Sequence, residues 1–153
     1  LVLRTLARRI QAATEEAAEL QTEILAHVRA LAPRLLEEPG VGPIVAAQLI
    51  VSWSHKGRVR SEAAFARLAG VAPIPASSGQ TIRYRLDRSG DRQLNRALHQ
   101  ILVTRRRIHP ATIAYIERRL SEGKTRREAN RCLKRYLARG LFRLLENGAP
   151  PDA

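Results

Sequence analysis

The chain has 153 residues, 44% of them hydrophobic, which is enough for one domain with a buried core and argues against a disordered protein. No apolar run is long enough for a membrane helix and the N-terminus lacks a signal-peptide pattern, so we expect no membrane contact and a cytoplasmic protein. A single cysteine, Cys132, excludes an intramolecular disulfide.

The formal net charge is +13, and the positive charge is concentrated in one part of the chain. Residues 1–53 contain five basic and six acidic residues, whereas residues 54–153 contain 22 basic and eight acidic residues. This surplus indicates a region that binds a polyanion such as nucleic acid. Arginines outnumber lysines 24 to three, so a GC-rich genome is the compositional alternative.

Apolar residues recur at spacings of three and four along residues 1–31, from Leu3, Leu6 and Ile10 to Ile24 and Leu31. This heptad pattern predicts a long helix that forms a homo-oligomer as a coiled coil. A single amphipathic helix lying on a bundle would give the same pattern.

A glycine turn follows at Pro39-Gly40-Val41-Gly42, and Pro43 opens another apolar helix. The pattern is typical of a helix-hairpin-helix, in which Gly40 and Gly42 permit the turn and free amides contact a DNA phosphate. A helical hairpin that only packs is the alternative.

The rest of the chain predicts a mainly α fold with one short β-ribbon. Ser61 is expected to cap a helix that ends at Gly70, and residues 71–76 and 80–86 to be extended. A helix is then predicted from Asp91, another from Pro110, and a last one from the capping box Thr125-x-x-Glu128.

The order of these motifs resembles the C-terminal transposase domain of the IS110/IS116/IS902 insertion-sequence transposases of bacterial mobile elements. The stretches that carry the resemblance are the glycine hairpin, then FARLAGVAPIPASSGQT, then an arginine ribbon, then GDRQLNRALH. It implies a coiled coil over residues 1–34 and a transposase domain over 35–146; the Pro/Gly-rich residues 147–153 are expected to be a disordered tail.

The resemblance implies a serine nucleophile just before the glycine of the SG turn, which is Ser78, with Ser77 as the alternative. Its hydroxyl would attack a DNA phosphodiester and form a phosphoserine–DNA intermediate. Cations stabilise the charge that develops in such a transfer. The expected nucleic-acid ligands are Gly40, Gly42, Arg83, Arg85, Arg88, Arg92 and Arg96.

Family members also carry an N-terminal RNase-H-like domain whose acids bind magnesium, and they use a structured guide RNA. The chain has no equivalent acids, starts with Leu1 and lacks methionine, so we expect a segment of a longer protein that is inactive alone. The alternatives are a non-catalytic helix-hairpin-helix module that binds DNA and dimerises, and a decayed transposase remnant.

Overall fold

The computed structural model describes residues 1–76, 79, 84–85, 87 and 89–148. Over these residues the chain forms six α-helices and two short strands. They are α1 (Val2–Leu31), α2 (Pro43–Trp53), α3 (Glu62–Leu68), β1 (Ile74–Pro75), β2 (Tyr84–Arg85), α4 (Arg92–Ile108), α5 (Pro110–Ser121) and α6 (Arg126–Gly148). The predicted mainly α class is confirmed, with a long first helix, a small ribbon and three helices after it.

The predicted helix-hairpin-helix has a shorter first arm than an ordinary one. Pro33 ends α1 and starts a 3₁₀ helix over Pro33–Glu37, and α2 forms the second arm. Gly42 is the N-cap of α2, and Pro43 occupies its first turn, where the missing N–H costs no hydrogen bond.

Helix α1 contacts the core only near its C-terminal end. Residues 1–23 are exposed, whereas Val28 is 1% exposed and lies in the core cluster. Leu31, one of the predicted seam residues, is 51% exposed in the single chain, whereas the last turns of α1 present Ile24 and Val28 to the core. The apolar side chains of the first turns are uncovered in the single chain.

Helix α4 forms the centre of the core. Its side chains at Leu94, Leu98, Ile101 and Leu102 are fully buried, as the apolar spacing predicts. Helices α2, α5 and α6 all pack against it, and α6 also covers α3, where the rings of Phe65 and Phe142 stack 5.4 Å apart. The apolar faces of these helices are therefore buried against α4 or α6.

The connection between α3 and α4 leaves the core and returns to the same point. Gly70 ends α3 with a φ of +64°, and Gly90 packs directly on it: a Cβ at Gly90 would lie 2.6 Å from Gly70 Cα and 2.8 Å from Leu68 O. The Asp91 amide donates to Leu68 O at 2.7 Å. The two ends of the connection over residues 71–89, called the excursion below, therefore touch.

Side chains cap the helices where the sequence predicts. Ser61 accepts from the Ala64 amide at the start of α3, and Asp91 accepts from the Gln93 and Leu94 amides at the start of α4. Thr125 and Glu128 form the reciprocal bonds of the predicted capping box before α6.

The last helix extends further than predicted. Helix α6 continues through Gly148, so Asn147 and Gly148 are helical rather than part of the predicted tail; residues 149–153 lie outside the described residues. None of the helices in the described ranges combines the length and apolar character needed to cross a membrane.

The contact between Gly70 and Gly90 makes a stability prediction. Gly90→Ala should lower the free energy of unfolding by about 1–3 kcal/mol, because the new methyl group overlaps backbone atoms that cannot rotate away. Gly140→Ala is the matched control: a Cβ there meets no described atom within 4 Å, so it should raise stability by about 0.5–1 kcal/mol through helix propensity. Urea unfolding measures both, and equal effects of the two substitutions would contradict the packing.

The cap of α4 makes a pH prediction. Burial acts to raise the pKa of Asp91, but hydrogen bonds from Ser52, at 2.7 Å, and from the two capped amides outweigh it and hold the pKa below 3.8. Asp91→Ala should therefore cost about 1–2 kcal/mol at neutral pH. Since the folded pKa is depressed, the stability that depends on the charge is present above pH 3.8 and is lost as the pH falls through the folded pKa.

The control is Asp91→Asn, which keeps an oxygen for the cap and removes the charge. Its stability deficit relative to the wild type should shrink as urea unfolding is repeated at progressively more acidic pH. A deficit that stays constant across the acid range would show that the ionised form of Asp91 contributes nothing.

Candidate nucleic-acid interface

A two-stranded ribbon flanks the serine segment, residues 76–83, in the sequence. Strands β1 and β2 pair antiparallel, with Ile74 opposite Arg85 and Pro75 opposite Tyr84. The predicted site residues Ser77, Ser78 and Arg83 lie between the two strands in the sequence, and Arg88 follows the second strand. All four lie outside the described residues. Gly79, next in sequence to Ser78, has a φ of +58°, a backbone conformation that favours glycine.

Three of the predicted arginines can be placed. Arg85 lies on β2 with its side chain exposed, and its charge helps to hold the pKa of Asp87 below its ordinary value, although hydrogen bonds from Ser89 are the larger cause. Arg92 and Arg96 are exposed one turn apart at the start of α4. Arg85 on the ribbon and Arg92 and Arg96 on α4 are thus exposed rather than part of the core.

The two glycines of the hairpin loop have different environments. Gly40 has a φ of +83° and packs on α4, where a Cβ would lie 3.1 Å from Ile101 O and 3.2 Å from Thr104 Cβ. At Gly42 a Cβ would meet no described atom within 4 Å. Gly40 therefore has a packing role, and Gly42 with the exposed start of α2 is the part of the loop open to a ligand.

Arg105 fixes this loop, a role that the sequence analysis missed. Its buried guanidinium donates to Pro39 O at 2.7 Å and forms an ion pair with Glu38. It belongs to a run of three arginines at the end of α4, and no local pattern distinguishes it from the other two. The first arginine of the run is buried, whereas Arg107 is exposed.

A cavity of about 620 Å³ lies beside the ribbon, between the start of α4 and the first half of α6. One wall includes Pro73, Tyr84 and Arg85, and the opposite wall contains basic residues that the sequence analysis did not select. These residues are Lys124, Arg131, Lys134 and Arg135. Two of the three lysines of the chain therefore line one cavity.

Lys134 links α6 to the start of α4. Its Nζ donates to Asn95 Oδ1 at 2.8 Å, and Asn95 Nδ2 in turn donates to Ala69 O at 2.8 Å. Burial lowers the pKa of Lys134. The pKa of His99, on the same side of α4, is lowered by burial and by the charges of Lys134 and Arg106. The cavity lining thus combines a partly buried lysine with further basic side chains, Arg85, Lys124, Arg131 and Arg135.

The chain offers no magnesium site in the part that the structure describes. Over residues 1–76, 79, 84–85, 87 and 89–148, no three His, Cys, Asp or Glu side chains are close enough together to hold a metal ion. The magnesium that the resemblance implies does not fit the residues present here, and we assign no step to it.

A known protein family matches the part of the chain that contains most of these features. The model of the family described as Transposase IS116/IS110/IS902 matches residues 32–117. This stretch includes the hairpin loop, both strands of the ribbon and all of α4.

Two curated relatives are insertion-element proteins. The chain is 34% identical over 151 residues to the "Insertion element IS110 uncharacterized 43.6 kDa protein" of Streptomyces coelicolor, covering 97% of this chain and 37% of that protein. It is 31% identical over 119 residues to the "Insertion element IS900 uncharacterized 42 kDa protein" of Mycobacterium paratuberculosis, covering 75% of this chain and 29% of that protein. The chain thus spans roughly a third of the length of each relative.

Proposed function

Because the chain belongs to the IS116/IS110/IS902 transposase family, we propose that it is the part of a transposase that binds DNA and carries a serine nucleophile. The observation that carries the proposal is the family match to one stretch, residues 32–117, which contains the hairpin loop, the serine segment and the exposed arginines of α4. The positive charge after Trp53 supports DNA as the partner.

In the proposed reaction, Ser78 Oγ attacks the phosphorus of a DNA phosphodiester. The Oγ–P bond forms, the bond from phosphorus to one sugar oxygen breaks, the serine loses its hydroxyl proton and the leaving sugar oxygen gains one. The phosphoserine link conserves the energy of the phosphodiester, so a DNA end can be rejoined without ATP. Arg83, Arg85 and Arg88 would balance the negative charge of the transition state.

Binding of the DNA backbone is assigned to two places. Arg92 and Arg96 extend from the start of α4 and would hold phosphates close to the serine segment. The second place is the hairpin loop, where Gly42 and the first amides of α2 would receive another phosphate without reading base sequence. In this proposal Gly40 acts indirectly, by packing the loop on α4.

We propose that the chain works as part of a longer protein. The curated relatives have masses of 43.6 and 42 kDa against 17.1 kDa for this chain, so an N-terminal domain with magnesium-binding acids is proposed to complete the active site. Residues 1–34 would join subunits through the coiled coil, and the complete protein would work in the cytoplasm. A guide RNA is compatible with the positive charge.

The second candidate function is a non-catalytic module that binds DNA and dimerises. The apolar side chains left exposed along α1, among them Leu3 and Ile10, favour it as much as they favour the transposase. The two functions differ in one product. Only the transposase forms a covalent bond between DNA and the chain.

DNA binding should depend steeply on salt because arginines displace counterions from phosphates. Arg92→Gln and Arg96→Gln should each weaken binding to a duplex of arbitrary sequence and lower the slope of log affinity against log salt by about 1. Arg8→Gln, which removes an exposed arginine from α1, is the matched control and should leave the slope unchanged. Slopes measured by fluorescence anisotropy that are the same in all three variants would contradict the placement.

The nucleophile is tested in the complete protein by trapping the covalent adduct with labelled DNA. Ser78→Ala should abolish the adduct and leave DNA affinity at the wild-type level, because the substitution removes one hydroxyl and no charge. Ser77→Ala is the matched control and should retain the adduct. Undiminished adduct in Ser78→Ala would remove this serine from the mechanism, and loss in Ser77→Ala alone would assign the role to Ser77.

A further inference from the structure

The cavity beside the ribbon has features of a built anion site. Among the residues that the structure describes, five basic side chains line it and two acidic ones, Asp87 and Glu128. Both acids already accept hydrogen bonds from neighbours: Asp87 from Ser89 and Glu128 from Thr125. These bonds use Asp87 Oδ1 and Glu128 Oε2, whereas Asp87 Oδ2 is buried without a hydrogen-bond partner in the part of the chain that the structure describes. Because the basic side chains outnumber the two acids, the lining keeps an excess of positive charge.

Lys134 is the cation that the fold holds most firmly in this cavity. Helix α6 places it opposite the start of α4, and its contact there is with the neutral amide of Asn95. A neutral partner orients the ammonium group without cancelling its charge. Lys134 is half-buried, and an anion bound to its ammonium group would offset the cost of that burial.

We propose that this cavity holds a DNA phosphate for the reaction of the serine segment and that Lys134 is the principal ligand of that phosphate, assisted by Lys124, Arg131 and Arg135. This inference rests on the proposed function. It adds residues of α6 to the proposed active site. Helix α6 lies beyond residues 32–117, the stretch that the family model matches.

The location next to the ribbon supports this assignment. Pro73 and Tyr84 line the cavity, and they lie just outside the two ends of the segment that contains Ser77 and Ser78. Lysine suits a phosphate ligand here because its compact charge can contact any non-bridging oxygen, whereas arginine requires a fixed planar arrangement. The cavity is also large enough for a phosphate with its sugar neighbours.

A lysine footprint tests the proposal directly, because the chain has only three lysines. The chain is acetylated with and without a short DNA duplex, and mass spectrometry measures the modification of each lysine. Lys134 and Lys124 should become several-fold less reactive in the presence of DNA. Lys56, exposed beyond the C-terminal end of α2, should keep its reactivity. Equal reactivity of Lys134 with and without DNA would overturn the proposal.

Two variants test the proposal by DNA affinity, without relying on the protection of lysines from acetylation. Lys134→Met, which keeps the apolar stem, should reduce duplex affinity about tenfold and lower the salt slope by about 1. Arg135→Gln, at an exposed position, should act in the same direction without disturbing the Asn95 contact. Lys56→Met is the matched control and should bind as the wild type does. Thermal melting checks that each variant is folded.

The outcomes separate this inference from the proposed function. If the wild type binds DNA with a steep salt slope while Lys134→Met and Arg135→Gln bind equally well, the phosphate lies elsewhere; the inference is then wrong and the DNA-binding function stands. If the wild type binds no DNA, both are wrong. In the complete protein, loss of serine adduct in folded Lys134→Met, with adduct retained in Lys56→Met, would support the proposed role.

Discussion

The backbone contact between Gly70 and Gly90 is the constraint on which the rest of the site depends. Because neither residue has a Cβ, the end of α3 and the start of α4 approach closely enough for the Asp91 amide to bond Leu68 O at 2.7 Å. Asp91 then caps α4 and accepts from Ser52 on α2. One contact thus closes the excursion that carries the serine segment and fixes the helix that carries Arg92 and Arg96.

The same frame extends to the hairpin loop on the other side of α4. Gly40 packs on the backbone of α4, and Arg105 from that helix bonds Pro39 O. The loop and the first half of α6 therefore both contact one central helix, α4. In the proposed mechanism this common reference lets separate phosphates along one DNA backbone be held at fixed distances from the serine.

Local signals in the sequence predicted the helices, whereas the positions of the cations in the candidate site depend on long-range contacts. Apolar spacing, the cap at Asp91 and the box at Thr125 and Glu128 all act within a few residues, so the pattern alone identified them. The contacts of Lys134 with Asn95 and of Arg105 with Pro39 join residues 39 and 66 positions apart, and no local pattern distinguishes these cations from their many basic neighbours. For the same reason the sequence pattern did not distinguish Gly40 from Gly42, although only Gly40 packs on α4.

The most direct measurement is to locate the covalent bond itself. The complete protein is allowed to react with DNA, the adduct is trimmed with nuclease and digested with trypsin, and the fragments are sequenced by mass spectrometry. Trypsin cleavage after Arg67 and Arg83 releases residues 68–83 as one peptide. We predict a nucleotide phosphate on Ser78 in this peptide. A nucleotide on any peptide other than 68–83, or none under conditions where strands are exchanged, would contradict the proposal that this segment carries the nucleophile.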